Sequence, residues 1–136
     1  MKGELPLRVI VEHPPAGVFF RVQRGKSELL APSESRKDAL TFDFTIRVEG
    51  EPPNFLGEFA QGPKAARFIY VNSGQYAGQR ETPWARRAKL TLMGISAALV
   101  KRALNGKTKG LEVRIDGTAN DGGPVCASVP VTWRIR

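Results

Sequence analysis

The stretch Leu40-Thr41-Phe42-Asp43-Phe44-Thr45-Ile46-Arg47-Val48 alternates apolar and polar residues for nine positions without a break. A period of two sends Leu40, Phe42, Phe44, Ile46 and Val48 to one face of a sheet and Thr41, Asp43, Thr45 and Arg47 to the other. One dry face and one wet face is the pattern of an antiparallel strand in a layered fold. Helical spacing would scatter the same apolar side chains around an axis.

Outward from this strand the chain repeats short β-prone runs: Leu7 to Glu12, Val18 to Gln23, Arg67 to Asn72, Arg87 to Leu92, Leu111 to Asp116 and Val125 to Ile135. Turn-forming residues bound them at Pro14 to Gly17, Arg24 to Lys26, Gly50 to Asn54, Ser73 to Gly78 and Asp116 to Pro124. Ser33 to Asp38 is polar and charged enough to read as a mobile loop. Pro130 lacks the N–H that a central strand uses, so the last run is expected at a sheet edge or a bulge. A helix is predicted from about Ile95 to Leu104, where Ala97, Ala98, Leu99, Ala103 and Leu104 favour it and Asn105-Gly106 offers a stop. The expected fold is mainly β: an antiparallel β-sandwich or partly open β-barrel of about seven strands with one short α-helix.

A chain of 136 residues is the size of one ordinary core, so residues 1–136 are read as a single domain. Leu5 to Val11 is broken by Pro6 and Arg8 and does not make the apolar centre of a secretory signal. No segment approaches the roughly 20 apolar residues of a membrane span. Cys126 is the single cysteine, which excludes an internal disulfide and suits a reducing compartment. A cytoplasmic protein with no membrane contact is expected.

The net charge of +8 is lopsided. Residues 1–79 carry 10 basic and 9 acidic side chains, and residues 80–136 carry 11 and 4. Arg80, Arg86, Arg87, Lys89, Lys101, Arg102, Lys107 and Lys109 stand against Glu81 alone, so the excess lies in residues 80–109. Such a segment attracts nucleic acid, acidic headgroups or an anionic ligand, and it equally serves as a solvated face. Lys101 and Arg102 have a separate reason to be where they are, at the negative end of the predicted helix.

Motifs for catalysis or metal binding do not assemble. His13, the one histidine, has neither a carboxylate nor a nucleophile placed beside it by the sequence. One His and one Cys do not make a zinc site. Asp116 to Gly123 has the oxygen-rich composition of a calcium loop without its spacing, its terminal Glu or its flanking helices, and reads as a tight turn. Gly106-Lys107-Thr108 has the tail of a phosphate-binding loop but follows a helix and lacks the upstream glycine. No cofactor and no metal are expected.

Two stretches invite a binding reading. Around Phe55 and Phe59, which share one helical turn, and the Tyr70 segment, the neutral groups Asn54, Gln61, Asn72, Ser73, Gln75 and Gln79 surround aromatics, as in the walls of small-molecule pockets. Loop shaping and core packing explain the same residues. Trp84, Arg86 and Arg87 place an aromatic beside planar cations, the pairing that single-stranded nucleic acid uses, although a core role for Trp84 explains it as well.

The segments PPAGVFFRVQRG from Pro14, PNFLGEFAQGP from Pro53, RFIYVNSGQYAGQ from Arg67, WARRAKLTL from Trp84 and IDGTANDGGPVCASVP from Ile115 together resemble a bacterial family known only as a domain of unknown function. The resemblance spans nearly the whole chain. It implies a bacterial single-domain protein and brings no activity, cofactor or functional residue with it.

The residues support a noncatalytic binding or interaction domain. Its candidate binding residues are Asn72, Ser73, Gln79, Trp84, Arg86, Arg87, Lys89, Lys107 and Lys109, and its expected partner is an anionic ligand or nucleic acid meeting residues 80–109. Homo-oligomerisation is left open. One alternative is a nucleic-acid-binding small barrel of the OB or Sm-like kind, with Arg86, Arg87, Lys89, Lys107 and Lys109 on phosphates. Another is an enzyme acting on a small anionic substrate, with Arg86 or Arg87 as clamp and Asp121 or Glu58 as acid or base.

Overall fold

A computed structural model describes residues 2–24, 28–49, 68–77, 80–81, 86–92, 95–105, 108–120, 126–129 and 131–136. The alternating stretch lies inside an 11-residue strand, β5 (Ala39–Glu49). It pairs antiparallel over its whole length with β1 (Lys2–Glu12). Phe42, Ile46 and Val48 are buried, and Leu40 and Phe44 pack against the same core. Asp43, Thr45 and Arg47 are exposed, so the period of two divides dry from wet as the physics of a pleated strand requires.

The other strands are β2 (Val18–Arg24), β3 (Glu28–Leu30), β4 (Glu34–Ser35), β6 (Phe68–Ala77), β7 (Arg80–Glu81), β8 (Arg86–Thr91), β9 (Leu111–Asp116), β10 (Cys126–Val129) and β11 (Arg134–Ile135). One sheet has the order β11-β9-β1-β5-β4, the other β10-β8-β6-β2-β3, with β7 beside the end of β6. β3 and β4 follow each other in the chain but edge different sheets, and so do β10 and β11. The chain therefore laces the two layers together along both edges. Between them lies one core, to which β1 sends Leu5, Leu7, Val9 and Val11, and the facing sheet sends Phe20, Val22, Ile69, Val71, Ala88 and Leu90. Each large apolar side chain taken fully out of water contributes about 1.5–3 kcal/mol.

The helix α1 (Ala97–Leu104) begins where Ser96 accepts a hydrogen bond from the Leu99 N–H at 3.1 Å. It buries Val100 and Ala103 and packs against β1 and β11, leaving Lys101 and Arg102 exposed in its last turn. α1 separates β8 from β9, so β9 reaches its place by a crossover and not by a hairpin.

Several sequence expectations change in detail. The sandwich is not wholly antiparallel: β1 pairs with β9 and β8 with β10 in parallel, as strands reached by long connections can. Ser73 to Ala77 does not turn but continues β6, with Ser73 to Gln75 opposite Val18 to Phe20 of β2 and Tyr76 and Ala77 opposite β7. Ser33 to Asp38 is not a free loop, because β4 pairs with β5, the Ser33 N–H donates to Thr41 O at 2.8 Å and the Arg36 N–H to Ala39 O at 2.9 Å. The run Val125 to Ile135 is two strands in two sheets. Both are edge strands, the position expected of a segment interrupted by proline; Pro130 itself and Val125 lie outside the described residues.

Candidate functional site

In the second sheet β2, β6 and β8 lie side by side, and their register aligns Arg21, Asn72 and Arg87 in one row and Gln23, Tyr70 and Lys89 in the row two residues on. The row between them, Val22, Val71 and Ala88, belongs to the core. Alternation therefore turns the two polar rows to the outward face of the sheet. Phe19 has the same phase; it is buried but stands apart from the core cluster.

Asn72 organises this face. Although it points away from the core it is 0% exposed, so both ends of its amide require partners. Its Oδ1 accepts from Arg87 Nε at 3.0 Å, and its Nδ2 donates to Gln23 Oε1 at 3.1 Å. The Arg87 guanidinium also lies over the Tyr70 ring, with Cζ 5.0 Å from the centroid, a cation–π contact. One nitrogen and one flat side of Arg87 are thus fixed, while its Nη groups donate to nothing among the described residues. On the other flank, Arg21 lies 5.6 Å from the Phe19 centroid and donates from Nη1 to the Phe20 carbonyl at 2.7 Å. Adjacent strands are about 4.8 Å apart, so Arg21 and Arg87 stand about 10 Å apart across the sheet.

The two sheets differ in how they handle charge. On the outward face of the first sheet, Arg134, Glu112, Arg8 and Asp43 form a row of alternating sign across β11, β9, β1 and β5. Arg8 closes on Asp43 with two hydrogen bonds, Nε to Oδ1 at 2.7 Å and Nη2 to Oδ2 at 2.9 Å. That fork holds the Asp43 carboxyl below the usual carboxylate range and raises the Arg8 guanidinium above its ordinary value. The two outward rows on β2, β6 and β8 instead hold Arg21, Arg87 and Lys89 and no carboxylate. Arg87 meets no carboxylate among the described residues.

The structure sorts the sequence candidates. Asn72, Arg87 and Lys89 come together on the outward face. Ser73 does not join them: it is buried, and its register with Phe20 puts it on the core-facing phase. Asn72 and Ser73 belong to β6 and not to a loop, and Arg86 and Arg87 both belong to β8. Lys109 is exposed just ahead of β9 in the first sheet, and Lys101 and Arg102 ride on α1. The described cations of residues 80–109 are therefore divided between two regions. Gln79, Trp84 and Lys107 lie outside the described residues, as do Asn54, Phe55, Glu58, Phe59, Gln61 and Asp121, and with Glu58 and Asp121 goes any test of the enzyme reading. Sequence reasoning missed Arg21, Gln23 and the anchoring role of Tyr70. The signal for the first two was the alternation Phe20-Arg21-Val22-Gln23, whose polar phase marks an outward face.

Among the described residues no helix is long and apolar enough to cross a membrane, and no group of three or more His, Cys, Asp or Glu side chains is placed to hold a metal ion. A family model described as a family of unknown function (DUF5990) matches residues 5–136. No curated protein and no solved structure matches the chain.

Proposed function

Since the chain belongs to the family of unknown function DUF5990, its role has to be argued from its own residues, and we propose that it is a noncatalytic binding domain for an anionic ligand, which it holds on the outward face of β2, β6 and β8. The observation that carries this reading is the state of Arg87. Its Nε is tied to Asn72 and its face to Tyr70, while its Nη pair donates to nothing among the described residues. A planar fork fixed in advance loses little entropy on binding and suits a carboxylate or phosphate oxygen pair. Arg21 and Lys89 add positive potential on the same face, with Asn72 and Gln23 holding the framework beneath. These groups orient and attract; they are the equipment of a holder.

Binding through phosphates fits this face better than base stacking does. Phe19 is only 2% exposed, and Tyr70 already carries the Arg87 guanidinium on its ring. A stacking platform needs open aromatic faces.

The test is fluorescence anisotropy of a labelled single-stranded oligothymidylate at low salt, with inorganic phosphate and pyrophosphate as competitors. Binding is expected to weaken about tenfold in Arg87→Gln, the loss of one charge-assisted contact, and to be unchanged in Arg47→Gln on the other sheet. Three phosphate contacts predict a slope of about −2 for log K against log salt. Absence of binding to all three probes at low salt would remove the proposal.

A further inference from the structure

We infer that a second site, the cleft on the outward face of β9 and β11 in the first sheet, takes a small zwitterion of the amino-acid type, a carboxylate and an ammonium on neighbouring atoms. The cleft has a volume of about 510 Å³ and is lined by Glu112, Arg114, Val131, Thr132 and Arg134. That lies within the range of small-ligand pockets, ~300–1,000 Å³. Glu112 and Arg114 share a phase on β9, and Arg134 stands directly opposite Glu112 in the β11 register, so the three charged side chains emerge on one face.

The two arginines are underused. Arg134 makes no ion pair and no side-chain hydrogen bond among the described residues. Arg114 lies 3.9 Å from Glu12 and 3.8 Å from Glu112, with 56% of its side chain exposed; both distances exceed hydrogen-bond reach. Arg8, one strand away, shows the opposite condition, closed on Asp43 at 2.7 and 2.9 Å. Arg134, and Arg114 held only loosely between Glu12 and Glu112, therefore stand on either side of the Glu112 carboxylate in a cleft that also offers a hydroxyl, Thr132, and an apolar wall, Val131.

Each lining group selects for part of the ligand. The guanidinium pair matches a carboxylate, whose two oxygens accept a fork. Glu112 between them opposes the second negative charge of a phosphate and accepts from an ammonium, so it rejects simple polyanions while favouring a zwitterion. Val131 favours a short aliphatic side chain. None of these residues belongs to the face formed by β2, β6 and β8, so the inference stands or falls independently of the anion-binding reading.

Calorimetric titration of the full chain with L-leucine, acetate, methylammonium and inorganic phosphate tests it, with backbone amide chemical shifts locating the site. The expected result is saturable binding of L-leucine, weaker binding of acetate and of methylammonium, and about a tenfold loss in Arg134→Gln and in Glu112→Gln. Lys101→Ala on α1 should bind as the unaltered chain does, and circular dichroism verifies that the variants fold. Acetate or phosphate overturns the assignment when it shifts the amides of β9 and β11 as tightly as L-leucine does; phosphate shifts confined to β2, β6 and β8 belong to the anion-binding face. So does stronger binding after Glu112→Gln, or the absence of saturable heat and shift changes with L-leucine.

Discussion

Asn72 and Arg87 lie opposite each other in the register of β6 and β8, and Arg87 Nε donates to Asn72 Oδ1 at 3.0 Å. The bond links a fully buried amide to a partly buried cation, so stability and the proposed anion binding meet in one side chain. Asn72→Leu keeps the volume and removes both hydrogen bonds, leaving Gln23 and Arg87 each short of a partner. Unfolding in urea should show a loss of about 1–3 kcal/mol. Arg87→Lys separates geometry from charge. It keeps the positive charge but loses the planar fork and the Nε donor, so anisotropy should record weaker anion binding with a smaller change in stability than Asn72→Leu shows.

The first sheet supplies a pH prediction. The Arg8 fork depresses the Asp43 carboxyl below its ordinary value of 3.8. A carboxyl with a folded pKa below its unfolded one contributes stability above the unfolded value, and that contribution disappears as pH falls through the folded value. The pair is partly exposed, at 29% and 39% of the two side chains, so solvent screening holds the contribution to less than about 1 kcal/mol. The stability difference between the unaltered chain and Asp43→Asn, followed by urea midpoints, should be constant from pH 7 to about 5 and shrink below about 4. A difference that persists unchanged at pH 2.5 contradicts the ionic origin.

Periodicity showed which residues line the core but not which strands are neighbours. Leu40 to Val48 needed only alternation, and the same rule placed Val18 to Gln23 and Leu111 to Asp116 correctly. Pairing partners depend on how the chain crosses between layers, which is why the parallel pairs β1 with β9 and β8 with β10 were not visible in the run of residues. The candidate site suffered from the same limit. A charge count along the chain collects Arg87, Lys101 and Lys109, which the fold separates, and overlooks Arg21, which lies far away in sequence but in one register row with Asn72 and Arg87. The short strands β3, β4 and β7 were missed because two or three residues carry too little pattern to be seen.

At the start of α1, Ser96 has extended backbone angles and its hydroxyl accepts the Leu99 N–H at 3.1 Å. An N–H in the first helical turn otherwise has no partner within the helix. Ser96→Ala should lower stability by about 1 kcal/mol, and Ser96→Asp should retain most of it because a carboxylate accepts the same bond. Thermal unfolding of the three proteins in parallel checks the order.

Gly110, immediately before β9, is buried with φ +114, a backbone conformation that residues with a Cβ rarely adopt. It is also crowded. A Cβ built there would meet the Pro6 carbonyl oxygen at 2.2 Å and the Pro6 Cβ at 2.8 Å. Pro6 lies in β1, paired on its other side with Thr45 of β5, so relief would require moving a central strand and not merely a flexible side chain. The Gly110 carbonyl further accepts the Arg136 N–H at 3.0 Å, which ties the chain's last residue to this point. Gly110→Ala is therefore expected to cost about 3 kcal/mol or more, combining backbone strain with a clash against a buried strand. Gly17 provides the control. Its φ is +78, but a Cβ there meets nothing within 4 Å, so Gly17→Ala carries the strain of positive φ without the clash. Urea unfolding should show Gly110→Ala as clearly the more damaging of the two, and equal losses would mean that close packing against Pro6 adds nothing to the need for glycine.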